Sequence, residues 1–370
     1  MAYGQVNADT LVTSTSGGIL GAGNASIMKN RIINGAMVID QRNAGASVTP
    51  TNAQYLVDRW QATLSAASKF TVQQNAGSVT PPVGFTNYLG ATSSSAYSIG
   101  ASDFFTVRQQ IEGYNVADLG WGTANAKTVT LSFQVYSSLT GTFGGAISNS
   151  AVDRAYPFSY SIPVANTWTT ISVTIAGDTS GTWLKTNGTG MIVQWGLGVG
   201  STYSATAGAW AAGLYLSSTG ATSVVGTNGA TFYITGVQLE VGSSATGFEY
   251  VNYQTSLANC QRYYEVNATG ANKGVATVNC PSSTTVYGTI PFKVSKRANA
   301  TLSYVSGTNY YQAYIAGNSG FNFTSMSGDH QGTEQSSIPA TVNSGTFTNG
   351  YCGYFYTTSA SGFVAFSAEL

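Results

Sequence analysis

Four charged residues crowd the first part of a chain that has few. Asp40 and Arg42 lie in "MVIDQRN" (37–43), and Asp58 and Arg59 in "YLVDRW" (55–60). Two kinds of chemistry suit two carboxylates beside two guanidiniums. At the ends of neighbouring strands they can form bidentate ion pairs that fix register. Such pairs, partly buried, specify geometry more than they add stability. The alternative is a structural calcium site, with oxygens from Asp40, Asp58, Asp103, Glu240 and Glu249. No compact calcium loop is present, so the ion pairs are the leading expectation and no cofactor is assigned.

No catalytic constellation stands out. Glycoside hydrolysis needs two carboxylates facing each other across roughly 5–10 Å, and no pair of acids is marked by repetition or by flanking aromatics. The chain has a single histidine, His330, beside Asp329 in "SGDHQGTE" (327–334). Adjacent residues on a loop seldom converge as catalytic partners, and one histidine excludes a multi-histidine metal site. A "GxSxG" elbow is missing. "GTFGG" (141–145) lacks dinucleotide spacing and reads as a turn.

Binding makes better use of the aromatic surplus. Sugars are held by aromatic faces together with amide and carboxylate hydrogen bonds. Trp121, Trp183 and Trp210 sit in Gly-rich segments, where they serve either as exposed platforms or as caps folded onto the core. Tyr310, Tyr311 and Tyr314 crowd "GTNYYQAYIAGN" (307–318), and Asp329 and His330 lie in a polar loop nearby. These eight residues are the candidate ligand contacts, with packing at a subunit interface the other reading for the tyrosines. Trp60 and Trp195 fall in phase with core residues.

Composition sets the frame for these residues. The chain has 370 residues, room for two domains. Only 8% are charged, about a third of the usual share, and the net charge is zero. That balance has no phosphate-binding footprint, so nucleic acid is not an expected partner. No run of 18 apolar residues exists, so no membrane insertion is expected. Hydrophobic residues reach 43% and aromatics 12%, enough to bury a core. The three cysteines, Cys260, Cys280 and Cys352, cannot all pair within one chain, and their spacing fits no zinc template. They read as buried small residues or as one disulfide with a leftover thiol.

The elements that carry these residues are β. Alternation predicts strands over 127–136, 168–177, 191–200 and 230–242, the last with a bulge at Gly236. Weaker strands are expected over 31–40, 56–65, 68–74 and 103–112. Leu257, Cys260, Tyr263 and Tyr264 share one face of a short helix over 254–264, capped by Thr255 or Ser256. Strands resume over 284–294, 300–307, 309–317, 339–350 and 350–370. The fold class is all-β: an antiparallel β-sandwich, then a short linker helix, then a second smaller β domain. The expected organisation is 1–29 as a polar N-terminal segment, 30–253 as the sandwich, 254–264 as the linker helix and 265–370 as the C-terminal β domain.

An ordered set of motifs adds to this. "NRIINGAMVIDQR", "YLVDRW", "TVTLSFQVYS", "FYITGVQLEVGSSATGFE", "CQRYYE" and the terminal "SAEL" follow one another along residues 30–370. The set resembles bacteriophage and prophage tail-fibre or receptor-binding proteins, in which a jelly roll similar to carbohydrate-binding modules precedes a small C-terminal β domain. The resemblance implies a virion protein, extracellular and peripheral to the tail or baseplate. It implies a homotrimer, attachment to a tail or baseplate protein through residues 1–29, and host cell-surface polysaccharide as the ligand at a C-terminal tip. A glycan depolymerase, or a structural fibre, collar or decoration protein without a receptor, remain the alternatives.

Overall fold

The computed structural model describes residues 11–12, 19–20, 28–316 and 318–370. The expected attachment segment, 1–29, lies almost wholly outside the described residues.

Ten strands build the N-terminal sandwich: β1 (Trp60–Leu64), β2 (Phe70–Gln74), β3 (Leu89–Ser93), β4 (Phe104–Glu112), β5 (Val129–Ser137), β6 (Gly141–Ser148), β7 (Arg154–Ile162), β8 (Thr169–Ile175), β9 (Thr189–Val199) and β10 (Thr231–Val241). One sheet has the order β8-β5-β10-β3-β2. The other runs β7-β6-β9-β4-β1, with the short strand Ala211–Ala212 added beside β7. The pairings in both sheets are antiparallel, and the two inner faces close on one apolar core. In β5 the alternation puts Val129, Leu131, Phe133 and Val135 inward, all at most 1% exposed. Trp60 and Trp195 meet at 5.5 Å in the centre, and Phe133 packs edge-on to Trp195 at the same separation. The sandwich is of jelly-roll type.

Two expectations fail for a backbone reason. Residues 31–40 form turns, not a strand, because Asn34 and Met37 both take left-handed φ of 57°. The Asn34 side chain ties this turn together, donating to the Ile39 and Asp58 carbonyls at 2.8 and 3.0 Å. Conversely, "GTFGG" is the start of β6. Its glycines serve close approach: a Cβ on Gly145 would stand 2.2 Å from the Gln194 carbonyl oxygen and 2.4 Å from the Phe158 ring. The bulge expected at Gly236 is present, with φ of 60° and a register shift between Thr235 and Gln238.

Helix α1 (Tyr253–Gln261) follows, capped by Asn252, whose side chain accepts from the Thr255 N–H at 2.8 Å; Thr255 and Ser256 are not the caps. Tyr263 and Tyr264 lie beyond its end. The second β domain has nine strands: β11 (Tyr264–Thr269), β12 (Gly274–Asn279), β13 (Thr285–Pro291), β14 (Thr301–Tyr304), β15 (Tyr311–Ile315), β16 (Asn318–Phe323), β17 (Gln335–Thr341), β18 (Cys352–Thr357) and β19 (Phe363–Ser367). They form a three-stranded sheet, β11-β19-β14, and a six-stranded one, β16-β15-β18-β12-β13-β17. Tyr311, Phe323, Phe355 and Phe366 fill a core of its own between them. All three cysteines are free thiols; Cys260 and Cys280 are buried and Cys352 is exposed.

Candidate functional site

The six-stranded sheet has an unusual composition. None of its strands, "GVATVN", "TVYGTIP", "YQAYI", "NSGFNF", "QSSIPAT" and "CGYFYT", contains a charged residue. The pleat sends Tyr311, Ala313 and Ile315 of β15 into the core and Gln312 and Tyr314 outward. On β18 it turns Phe355 and Thr357 inward and Tyr354 and Tyr356 outward. Tyr314 pairs directly with Tyr354, and their rings stack at 5.3 Å. Tyr356 lies 5.7 Å from Tyr354 and hydrogen-bonds the Gln312 side chain. Tyr354 is 53% exposed. Three tyrosine rings, an amide and the Thr277 hydroxyl, which pairs opposite Tyr354, thus share one outer face. Such a face stacks on the C–H surface of a flat neutral ligand and hydrogen-bonds its edges.

The tyrosine cluster expected over 307–318 is split by that pleat. Tyr314 is on the outer face. Tyr311 is fully buried, its hydroxyl 2.7 and 2.9 Å from the Val305 and Phe363 carbonyls, and Tyr310 packs against the core. Asp329 and His330 come together with Tyr287, whose hydroxyl binds the Asp329 carboxylate and lies 2.7 Å from His330 Nδ1. The Tyr287 hydrogen bond holds the Asp329 carboxyl below its ordinary value.

Trp121, Trp183 and Trp210 are brought together, but against one another. Their rings meet edge to face at 4.7, 5.3 and 5.5 Å. Trp121 and Trp183 are 3% and 7% exposed, and each indole N–H is spent on a carbonyl, Lys127 and Ser180 at 2.7 and 3.1 Å. Trp210 donates to Ala176 at 2.7 Å. The trio caps one end of the sandwich core.

The charged cluster at the start of the chain has a different partner from the one expected. Asp40 caps a loop, accepting from the Asn43 and Gly45 N–H groups at 2.9 and 2.7 Å. Asp58, fully buried, accepts from the Gln41 backbone and side chain at 2.6 and 2.7 Å, and no arginine reaches it. Burial pushes its carboxyl up to about 6 against the pull of Arg42. Arg42 and Arg59 both meet Glu369 near the end of the chain, Arg42 Nη2 at 2.7 Å from Oε1. Local donors, the Asn43, Gly45 and Gln41 N–H groups and the Gln41 side chain, satisfy the two aspartates, so the long guanidiniums are left to reach across. Arg42 also stacks on Tyr264 and Arg59 on Tyr263, each at 3.6 Å. Tyr55 and Gln110 each donate to the Leu370 carbonyl at 2.8 Å, and Arg297 binds the Glu369 carbonyl. The cluster is therefore a polar seam that joins the sandwich to the C-terminal β domain.

The five acids considered for calcium are not brought together. Asp103 serves Ser65 and Gly100, Glu240 serves Thr246, and Glu249 accepts the Asn30 N–H. Among the described residues no group of three His, Cys, Asp or Glu side chains is placed to hold a metal ion.

Two features escaped the sequence reading. Tyr88, Tyr136, Trp168 and Tyr233 cluster on the outer face of the five-stranded sheet, with Tyr136 and Tyr233 stacked at 5.3 Å. Within the strand expected over 350–370, the i, i+2 tyrosines of "GYFYT" mark one face of the pleat and put Tyr354 and Tyr356 on the same side. A cleft of about 510 Å³ also opens between the segment after residue 28, residues 248–251, α1 and Val294–Ser295.

No family model matches the chain, and no curated protein matches it. Solved structures do show similarity. A family 4 carbohydrate-binding module has 16% identity over 56% of this chain and 98% of its own, with a TM-score of 0.27. A family 11 module from Clostridium thermocellum, solved with a β-1,3-1,4-mixed-linked tetrasaccharide, has 9% identity over 54% and 98%, also at 0.27. A family 61 module solved with β-1,4-galactotriose has 10% identity over 50% and 88%, at 0.26. The fold assignment rests on the sheets themselves.

Proposed function

We propose that the chain is a virion adhesion protein of the tail-fibre or receptor-binding type, which attaches to neutral glycan on the host surface through its C-terminal β domain. The observation that carries this reading is the stacked Tyr314–Tyr354 pair on a sheet whose strands hold no charge. A soluble surface normally spends charges, and an outer face that keeps aromatic rings and amides instead suits a hydroxyl-rich neutral partner. In this reading residues 30–253 are the jelly-roll domain and 265–370 the receptor-binding tip. Residues 1–29 join a tail or baseplate protein, and three copies assemble, so weak sugar contacts gain by avidity.

The test is retention of the full-length protein on immobilised neutral polysaccharides and on a glycan array, beside Tyr354→Ala. Losing one exposed aromatic contact from each copy should weaken retention at least tenfold while the melting temperature holds. Equal retention by the two proteins, or none by the parent on any neutral glycan, would overturn the assignment.

A further inference from the structure

We infer that the cleft beside α1 is a second ligand site, one that takes a neutral sugar of one or two rings. Its volume, about 510 Å³, is of the size that encloses a small ligand. Its walls mix apolar side chains, Ile32 and Val294 among them, with polar ones, some tied into the fold, as Asn30 and Asn34 are, and some not. The Asn115, Ser256 and Asn259 side chains line it, and none is hydrogen-bonded to another described residue. They come from two separate elements: the turn after β4 holds Asn115, and α1 holds Ser256 and Asn259.

Charge selects the ligand class. The ionised groups lining the cleft are Arg31, Glu249 and Arg262, and each is engaged. Arg31 pairs with Asp118 at 2.9 Å. Arg262 is held by both oxygens of Glu112. Glu249 accepts the Asn30 N–H at 2.6 Å. Both cations are ion-paired, so none is left to draw an anionic ligand, whereas free amides, a hydroxyl and the second Glu249 carboxylate oxygen suit a ligand with many hydroxyls.

The lining supplies the apolar half of sugar recognition as well. Tyr250 is 62% exposed, and its ring is braced by Phe248 at 5.0 Å and Phe85 at 5.7 Å. A Cβ on Gly84 would fall 2.5 Å from its hydroxyl, so that glycine (φ 91°) makes room for the ring to lie where it does. A braced, exposed aromatic ring beside unengaged amides meets the requirements for stacking and edge hydrogen bonding of a pyranose.

This site is separate from the tyrosine face of the C-terminal sheet, and the experiment keeps them apart. Saturation-transfer NMR on the full-length protein would use glucose, galactose, N-acetylglucosamine, lactose and cellobiose as probes. Ser256→Trp fills the cleft and Tyr250→Ala removes the ring; Tyr354→Ala is the control. Transfer from at least one sugar, weakened about tenfold in affinity by each cleft variant and unchanged in Tyr354→Ala, is the expected result. No transfer from any of the five overturns the inference. Transfer undiminished in Ser256→Trp does so too. Absent transfer together with a changed oligomeric state in Ser256→Trp would mean that a second copy occupies the cleft, and this also overturns it.

Discussion

Arg262 grips Glu112 through two parallel hydrogen bonds, Nε to Oε2 at 2.9 Å and Nη2 to Oε1 at 2.6 Å. Glu112 ends β4 of the sandwich, and Arg262 follows α1. The bond therefore ties the two β domains at the point where the chain passes between them. Glu112 is 1% exposed, and the Tyr263 hydroxyl completes its shell at 2.6 Å. Burial pushes the Glu112 carboxyl up, but the hydrogen bonds from Arg262 and Tyr263 outweigh it and hold the group below its ordinary value. The sign follows: this stabilisation is present above the unfolded carboxyl value and is lost as pH falls through the lower folded one.

Removing Arg262 should be costly. Arg262→Ala strands a buried carboxylate with one hydroxyl donor, an expected loss of about 3–5 kcal/mol in denaturant unfolding. The stability gap between parent and variant should narrow as pH falls through the carboxyl range, because only the parent has this stabilisation to lose on protonation. An unchanged acid limb would show that Tyr263 alone satisfies Glu112.

Glu369 stands between Arg42 and Arg59, all three at most 14% exposed by side chain. Glu369→Ala leaves two buried guanidiniums without their counter-ion, with an expected cost of about 3–5 kcal/mol. The loss should fall on the contact between the domains. Calorimetry of Glu369→Ala should resolve two transitions where the parent gives one, because each domain keeps its own core. One cooperative transition in both proteins would mean that the other seam bonds suffice.

Asp58 runs the opposite way with pH. Its carboxyl is raised from 3.8 to about 6, chiefly by burial. The folded state then binds a proton that the unfolded state has released, so this group's contribution is full below about pH 4 and falls as pH rises toward 6. The two-unit shift is worth about 3 kcal/mol. Asp58→Asn should be more stable relative to the parent at pH 7.5 than at pH 4. Guanidinium titrations at the two pH values decide it, and an equal difference at both would remove the claim.

Much of the fold was legible because a one-sided strand writes its pleat into the sequence. Val129, Leu131, Phe133 and Val135 announced β5, and Gly236 announced a bulge. The failures share a cause: they depend on backbone conformation or on distant partners. Nothing in "NRIINGAMVID" tells that Asn34 and Met37 adopt left-handed φ, and nothing in "GTFGG" tells that its glycines face the Gln194 carbonyl. Arg42 and Arg59 were marked as unusual, yet their partner Glu369 lies more than three hundred positions away, beyond any local pattern. The candidate binding face was half legible. Tyr314 was singled out, whereas Tyr354 comes beside it only through the β15–β18 pairing.

The three tryptophans supply the last contrast. Local sequence made them as eligible for ligand contact as the tyrosines, since a Gly-rich loop does not say which way an indole turns. Packing separates the two sets. Trp183 is 7% exposed, 4.7 Å from Trp121 and 5.5 Å from Trp210. Trp183→Ala should therefore cost about 3–5 kcal/mol through the cavity it leaves. The protein that remains folded should keep its glycan retention, whereas Tyr354→Ala should lose retention and keep its stability. A crossed pattern, with Trp183→Ala stable but unable to bind, would place the ligand on the sandwich end instead of the C-terminal sheet.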